Sequence, residues 1–150
     1  MKTASLDEKD GRILGLLSED ASLTRKQIAR KLGLPLTTVH NRIEKLKREG
    51  VIKRLKAEID GKKIGRGLTA LVNVSFNYVS RDFSQETAAK KMLAMPEVEE
   101  ALIVAGETDV VLKIRVRDTD ALNDFVIKKL RAFEGVDKTH TLVVMKEFVK

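Results

Sequence analysis

The stretch LTRKQIARKLGLPLTTVHNRIEKLKREGVIKRLK, residues 23–56, limits what this chain can fold into more than any other feature. It holds two helical patterns broken at Gly33, and its charge is one-sided. From Arg25 to Lys56 there are eleven lysines and arginines against two acidic residues, Glu44 and Glu49. Thr24 is placed to cap a helix, and Gln27 three residues on completes a capping box, so a helix is predicted from Thr24 with Ile28, Ala29 and Leu32 inward. Gly33 supplies the left-handed conformation that stops a helix. Pro35 suits the first turn of the next one, which Gly50 ends. Advancing about 100° per residue from Val39 places Ile43 and Leu46 within roughly 40° of it, so these three form a buried face. Upstream, Leu6 to Glu19 reads as a further helix, with Asp7, Glu8 and Asp10 favouring its first turn. Its apolar stripe is Leu6, Ile13, Leu16 and Leu17.

The face of the third helix opposite Val39 carries Thr37, Asn41, Lys45 and Arg48, with Thr38 beside them and His40 and Arg42 on the flanks. A hydroxyl, an amide and long cations suit phosphates and base edges in a major groove. A charged helix face alone is usually just solvated. Here a preceding helix, a three-residue break and a glycine exit accompany it, and double-stranded DNA is the expected partner. Val51 to Asp60 reads as a short strand or wing. The candidate DNA-contacting residues are Arg25, Lys26, Thr37, Thr38, Asn41, Arg42, Lys45, Arg48, Lys53 and Arg54.

Charge also divides the chain. Residues 1–56 hold fourteen basic and seven acidic residues, whereas residues 57–150 hold fifteen of each. Two modules are therefore predicted: a DNA-binding domain at 1–56 and a second domain at 68–150. Between them residues 57–67, AEIDGKKIGRG, read as a hinge or linker. An apolar content of 43% is enough for packed cores. No run approaches the ~18 apolar residues of a membrane helix. The N-terminal residues lack a secretory pattern. With no cysteine in the chain, neither disulfides nor thiolate chemistry are available. These features fit a cytoplasmic protein with no membrane partner.

The second half alternates regularly. Leu68–Val79 is a predicted strand, with Ala70, Val72, Val74, Phe76 and Tyr78 on one face and Leu71, Asn73, Ser75 and Asn77 on the other. Ser84 caps a helix to Met95, with Ala88, Met92 and Met95 inward. Val98–Ala105 is a strand, Gly106-Glu107-Thr108-Asp109 a turn, and Val110–Val116 a half-buried strand. Thr119–Phe133 is a helix with Leu122, Phe125, Val126, Leu130 and Phe133 on one stripe, and Val136–Val149 the last strand. The order β-α-β-β-α-β with right-handed crossovers gives a ferredoxin-like sheet with two helices on one face. The fold class is therefore α+β, a winged helix-turn-helix followed by a βαββαβ domain.

No site for catalysis emerges. The two histidines, His40 and His140, pair with no nucleophile, no metal-ligand spacing occurs, and the glycines form neither GxGxxG nor a P-loop. Neither an enzyme nor a metal or cofactor is expected. RNA binding through the sheet would need aromatics on its open face. Phe76 and Tyr78 share parity with the helix-covered side, and VVLKIRV contains no aromatic. The second and last strands are apolar on both sides, through Leu102 and Val104 opposite Ala101 and Ile103, and Leu142 and Val144 opposite Val143 and Met145. Strands of this kind are buried on both faces. A monomer with a partly apolar open face is the simpler alternative; sheet-to-sheet homodimerisation is preferred.

LDEKDGRIL followed by LTRKQIARKLGLPLTTVHNRIEKLKREGVI resembles the leucine-responsive (Lrp/AsnC) family of prokaryotic transcription regulators, across nearly the whole chain. That resemblance implies a winged helix-turn-helix ahead of an ACT-like (RAM) amino-acid-sensing domain, which dimerises and often assembles into tetramers or octamers. It also implies an effector site at the turn Gly106, Glu107, Thr108 and Asp109, with Thr139 and Thr141 of the last strand. Amides at the glycine turn would receive a carboxylate and Asp109 the ammonium. The competing reading is a plain hairpin. Ala105 and Thr108 depart from the family pattern, which commonly has a hydroxyl and an aromatic there. The expected function is a sequence-specific DNA-binding regulator modulated by a small amino acid. The alternative is an architectural DNA-binding protein whose second domain only oligomerises.

Overall fold

The structure, a computed structural model, describes residues 5–77 and 83–148. The chain divides in sequence after Ile59 into two compact units. The first contains α1 (Glu8–Glu19), α2 (Arg25–Leu32) and α3 (Leu36–Arg48). Asp7 caps α1 through a reciprocal capping box with Asp10, and Thr24 caps α2 through one with Gln27. Gly33 ends α2 at φ 64°, and the Leu34 N–H closes the turn onto the Ala29 carbonyl. The left-handed glycine and this bond turn the chain into Pro35 and α3. Ile13, Ile28, Ala29, Val39, Ile43 and Leu46 form a closed core, with Val51 and Ile52 packed against it. All three predicted inward residues of α3 are buried.

Two expectations for this unit change. Leu6 is 46% exposed, because the helix begins two residues later and Asp7 takes the cap. Val51–Asp60 contains no strand; after Ile52 the backbone follows an irregular path to Asp60.

The second unit is a four-stranded antiparallel sheet in the order β2-β3-β1-β4, built from β1 (Leu68–Phe76), β2 (Val98–Ile103), β3 (Val110–Val116) and β4 (Val136–Val143). One face is covered by α4 (Gln85–Leu93) and by α5 (Thr119–Asp124), which continues as a π-helix over Phe125–Leu130. This is the ferredoxin-like order expected from the alternation. Ala70, Val72, Val74 and Phe76 of β1 meet Val110, Leu112, Ile114 and Val116 of β3 under Met92, Phe125 and Leu130. At roughly 25 cal/mol per Å² of apolar surface removed from water, contacts of this kind are the main term holding such a unit together.

The π turn was not expected. The Arg131 N–H bonds to the Val126 carbonyl five residues back, and the wider turn buries Phe125, Val126 and Leu130 together. Asp60–Gly67 is also more ordered than a hinge. Asp60 caps a 3₁₀ turn over Gly61–Ile64, and Gly65 leaves it at φ 74°. Five elements end earlier than predicted: β1 at Phe76, α4 at Leu93 with Met95 half-buried beyond it, β2 at Ile103, the helix begun at Thr119 at Leu130, and β4 at Val143. Tyr78, Val79 and Val149 lie outside the described residues.

Candidate functional site

The capping box of α2 and the first two turns of α3 together shape a shallow groove on the first unit. Thr24, Arg25, Lys26, Leu36, Thr37, His40 and Asn41 line it. Four of the expected DNA residues, Arg25, Lys26, Thr37 and Asn41, thus share one surface, with Thr38 half-buried beside it. Arg25 is held there by α3: its Nη2 lies 2.5 Å from Glu44 Oε1 and its Nη1 2.5 Å from His40 Nδ1. Arg48, Lys53 and Arg54 are exposed and form no ion pair among the described residues.

Arg42 and Lys45 face elsewhere. Arg42 Nη1 donates to Asp7 Oδ2 and Asp10 Oδ1, both at 2.7 Å, and Asp10 is only 1% exposed. Lys45 reaches the Ser5 carbonyl at 3.5 Å and Asp10 at 4.0 Å. The amide of Asp10, then the Arg42 guanidinium, hold the Asp7 carboxyl below its usual range. The hydrogen bond to Asp10 leads those that keep Arg42 more firmly protonated than usual. These two cations tie α3 to the start of α1. Periodicity missed both this engagement and the contribution of His40, although His40 follows Thr37 by three residues and so lies over the same turn.

The second unit carries a cleft of about 580 Å³ between the β2–β3 turn and the N-terminal half of β4. Asn73 and Ser75 of β1, Thr108 and Thr139 are half-buried there. Glu107, Arg131, Asp137, Lys138 and His140 are its exposed charged and titratable side chains. Of the residues expected at an effector site, the cleft gathers Glu107, Thr108 and Thr139. Gly106, Asp109 and Thr141 do not line it. Gly106 turns the chain at φ 141°, a conformation that favours glycine. Asp109 serves the fold: its Oδ2 accepts from the Phe76 N–H at 2.8 Å and its Oδ1 from Gln85 Nε2 at 3.0 Å. Thr141 pairs with Val72, and Thr139 with Val74, on the helix-covered side, whereas Asn73 and Ser75 lie on the open face. Ser75 donates to the Glu107 carbonyl at 3.1 Å and so fixes the turn over β1. The polar side of β1 already singled out Asn73 and Ser75, but only strand pairing shows that His140 lies opposite Asn73.

On the open sheet face, Leu102, Val111, Asn73 and His140 form one row, and Glu100, Lys113, Leu71 and Leu142 the next. Leu102 is 52% and Leu142 45% exposed in the single chain. Arg115 pairs with Glu99 at 2.7 Å, and Lys113 with Glu147. Among the described residues no group of three His, Asp or Glu side chains could hold a metal ion. No helix among them is long and apolar enough to cross a membrane.

Comparison with known proteins agrees with both units. Residues 69–150 match the family described as the Lrp/AsnC ligand binding domain, and residues 6–53 match a winged helix-turn-helix DNA-binding family. An uncharacterized HTH-type transcriptional regulator of Pyrococcus furiosus is 37% identical over 138 residues, covering 92% of this chain and 91% of that protein. The HTH-type transcriptional regulator FL11 of the same organism is 31% identical, over 94% and 90% of the two chains. A Neisseria meningitidis transcriptional regulator solved in complex with L-Met superposes with a TM-score of 0.88 at 27% identity, covering 97% of this chain and 94% of that one. Bacillus subtilis LrpC superposes at 0.83 with 26% identity, over 97% and 99%.

Proposed function

We propose, from the premise that this chain belongs to the Lrp/AsnC family of DNA-binding transcriptional regulators, that it reads a specific DNA sequence as a homodimer and that a small amino acid modulates the binding. The observation that carries the reading is the groove in which Arg25, Lys26, Thr37, His40 and Asn41 converge. Amide, hydroxyl and imidazole groups discriminate base edges, whereas cations mainly position the protein on phosphates. In this reading residues 1–56 act on DNA, residues 57–67 connect, and residues 68–150 associate and bind effector.

Homodimerisation is supported by the exposed leucines of the open sheet face and by the paired charges around them. A second copy covering that face would bury apolar rows that a lone chain leaves in water. Higher assembly into tetramers or octamers would build on that dimer. The effector reading is supported by the ligand-binding family match, by the polar cleft beside Glu107 and Thr108, and by the L-Met bound to the Neisseria meningitidis relative. Asp109 there shapes the turn.

Selection of bound DNA from a random pool, with and without amino acids, tests the proposal. The expected product is a roughly palindromic site whose half-sites lie about one helical turn apart, ~34–36 Å, or a multiple of that. An amino acid should shift the yield. A pool with no consensus would favour the architectural reading, and a consensus indifferent to all twenty amino acids would remove the effector.

A further inference from the structure

We propose, resting on the base-reading role given to α3 above, that Leu36 recognises the C5-methyl group of a thymine in the major groove. Leu36 is the first residue of α3, and Pro35 before it, at φ −57° and ψ 141°, fixes where it stands. Leu32 and Leu34 pack against the core of the first unit, whereas Leu36 is left 50% exposed. A single exposed leucine on a helix surface is ordinary. This one lines the groove between α2 and α3, where every other lining residue carries a polar side chain. The first turns of a recognition helix are also the part that meets base edges.

The surroundings of Leu36 decide what covers it. No acidic side chain lines the groove, and its Lys26 is exposed. The occupant is therefore anionic, yet offers an apolar group within reach of the leucine. Duplex DNA meets both conditions. Phosphates flank its major groove, and the thymine methyl is the apolar group that a base pair presents there. An apolar protein surface laid on the groove would strip water from these cations and return no partner. Arg25 is a fixed part of the wall, since Glu44 Oε1 and His40 Nδ1 each hold its guanidinium at 2.5 Å. His40 stands one helical turn beyond Leu36, and Asn41 one turn beyond Thr37. The methyl contact thus lies beside hydrogen-bonding groups, and the carboxamide of Asn41 suits the N6 and N7 edge of adenine. A half-site read by this helix contains thymine and adenine, with the thymine told from cytosine by its methyl group.

A deoxyuridine scan of the DNA site selected from a random pool tests this. Replacing a thymine by deoxyuridine removes the methyl group and leaves every hydrogen-bonding atom in place. Kd is measured for each replacement with the full chain, wild type and Leu36→Ala, and thermal unfolding without DNA confirms that the variant folds. In wild type, one thymine of the half-site should lose about fourfold on replacement, and about fifteenfold when replaced in both half-sites, as expected of one buried methyl group each. In Leu36→Ala the same replacement should change Kd by less than about twofold, because the two losses report one contact. A half-site with no methyl-sensitive thymine would overturn the proposal and leave base reading by α3 standing. So would a methyl effect that persists undiminished in Leu36→Ala, which would belong to another side chain or to DNA stiffness. A pool that yields no consensus would overturn this inference together with base reading.

Discussion

Arg42 meets both Asp7 and Asp10 through one guanidinium nitrogen, and Asp10 is otherwise sealed from water. Removing the cation leaves a buried carboxylate short of its main partner. Arg42→Ala should therefore destabilise the first unit by about 1–3 kcal/mol, whereas Lys53→Ala, at an exposed position without an ion pair, should stay within about 0.5 kcal/mol. Thermal unfolding separates the two. The pH dependence has a definite sign. Folding lowers the pKa of Asp7 from its ordinary 3.8, so its contribution is complete above that value and is lost as pH falls through the lower folded one. In Arg42→Ala this acid-side loss should shrink, because one cause of the lowered pKa is gone; an unchanged acid slope would contradict the role given to Arg42. At this scale, what was legible followed short-range rules. The box formed by Thr24 and Gln27, the stop at Gly33 and the inward set Val39, Ile43 and Leu46 depend on neighbours within one or two turns. The engagement of Arg42 with Asp7 and Asp10 was not legible, because these partners lie more than thirty positions away and helical spacing carries no information about them.

Among the elements, the segment between the units repays the closest attention. Three glycines in eleven residues suggested a hinge. Gly61 is instead packed so tightly that an added Cβ would lie 2.5 Å from both Arg115 Nη1 and the Arg66 carbonyl oxygen. The arginine side chain could yield; the carbonyl belongs to the turn itself. Gly61→Ala should cost roughly 1–3 kcal/mol through overpacking. Gly15→Ala is the contrasting case, since it lies inside α1 with nothing within 4 Å of the added carbon. Helix propensity then predicts a gain of about 0.5–1 kcal/mol. Chemical denaturation of both variants checks the pair, and a neutral Gly61→Ala would contradict the docked turn. The alternation in β1 and β3 made the sheet legible, because period two follows directly from strand geometry. The π turn after Asp124 was not legible, because Phe125, Val126 and Leu130 fit an ordinary helical stripe almost as well. Likewise, 51–60 reads in sequence as a short strand or wing, but Val51 and Ile52 pack into the helical core and, among the described residues, the sheet contains no strand from this segment.

For the whole molecule, a strongly basic helical unit is joined to a sheet domain of balanced charge, and the proposed activity depends on both. A dimer joined at the sheets doubles the groove and makes its binding site two-fold. The claim that stands beneath everything else is that α3 reads bases, with Asn41 and Thr37 on the reading surface and Arg48 on phosphates. The direct measurement compares Kd for the selected site and for random DNA, over a salt series, in wild type, Asn41→Ala, Thr37→Ala and Arg48→Ala. Asn41→Ala and Thr37→Ala are expected to lose about 1–3 kcal/mol on the selected site, with little change on random DNA. Arg48→Ala is expected to weaken both alike and to lower the salt slope by about one. Equal losses on both DNAs for all three variants would contradict base reading by this helix.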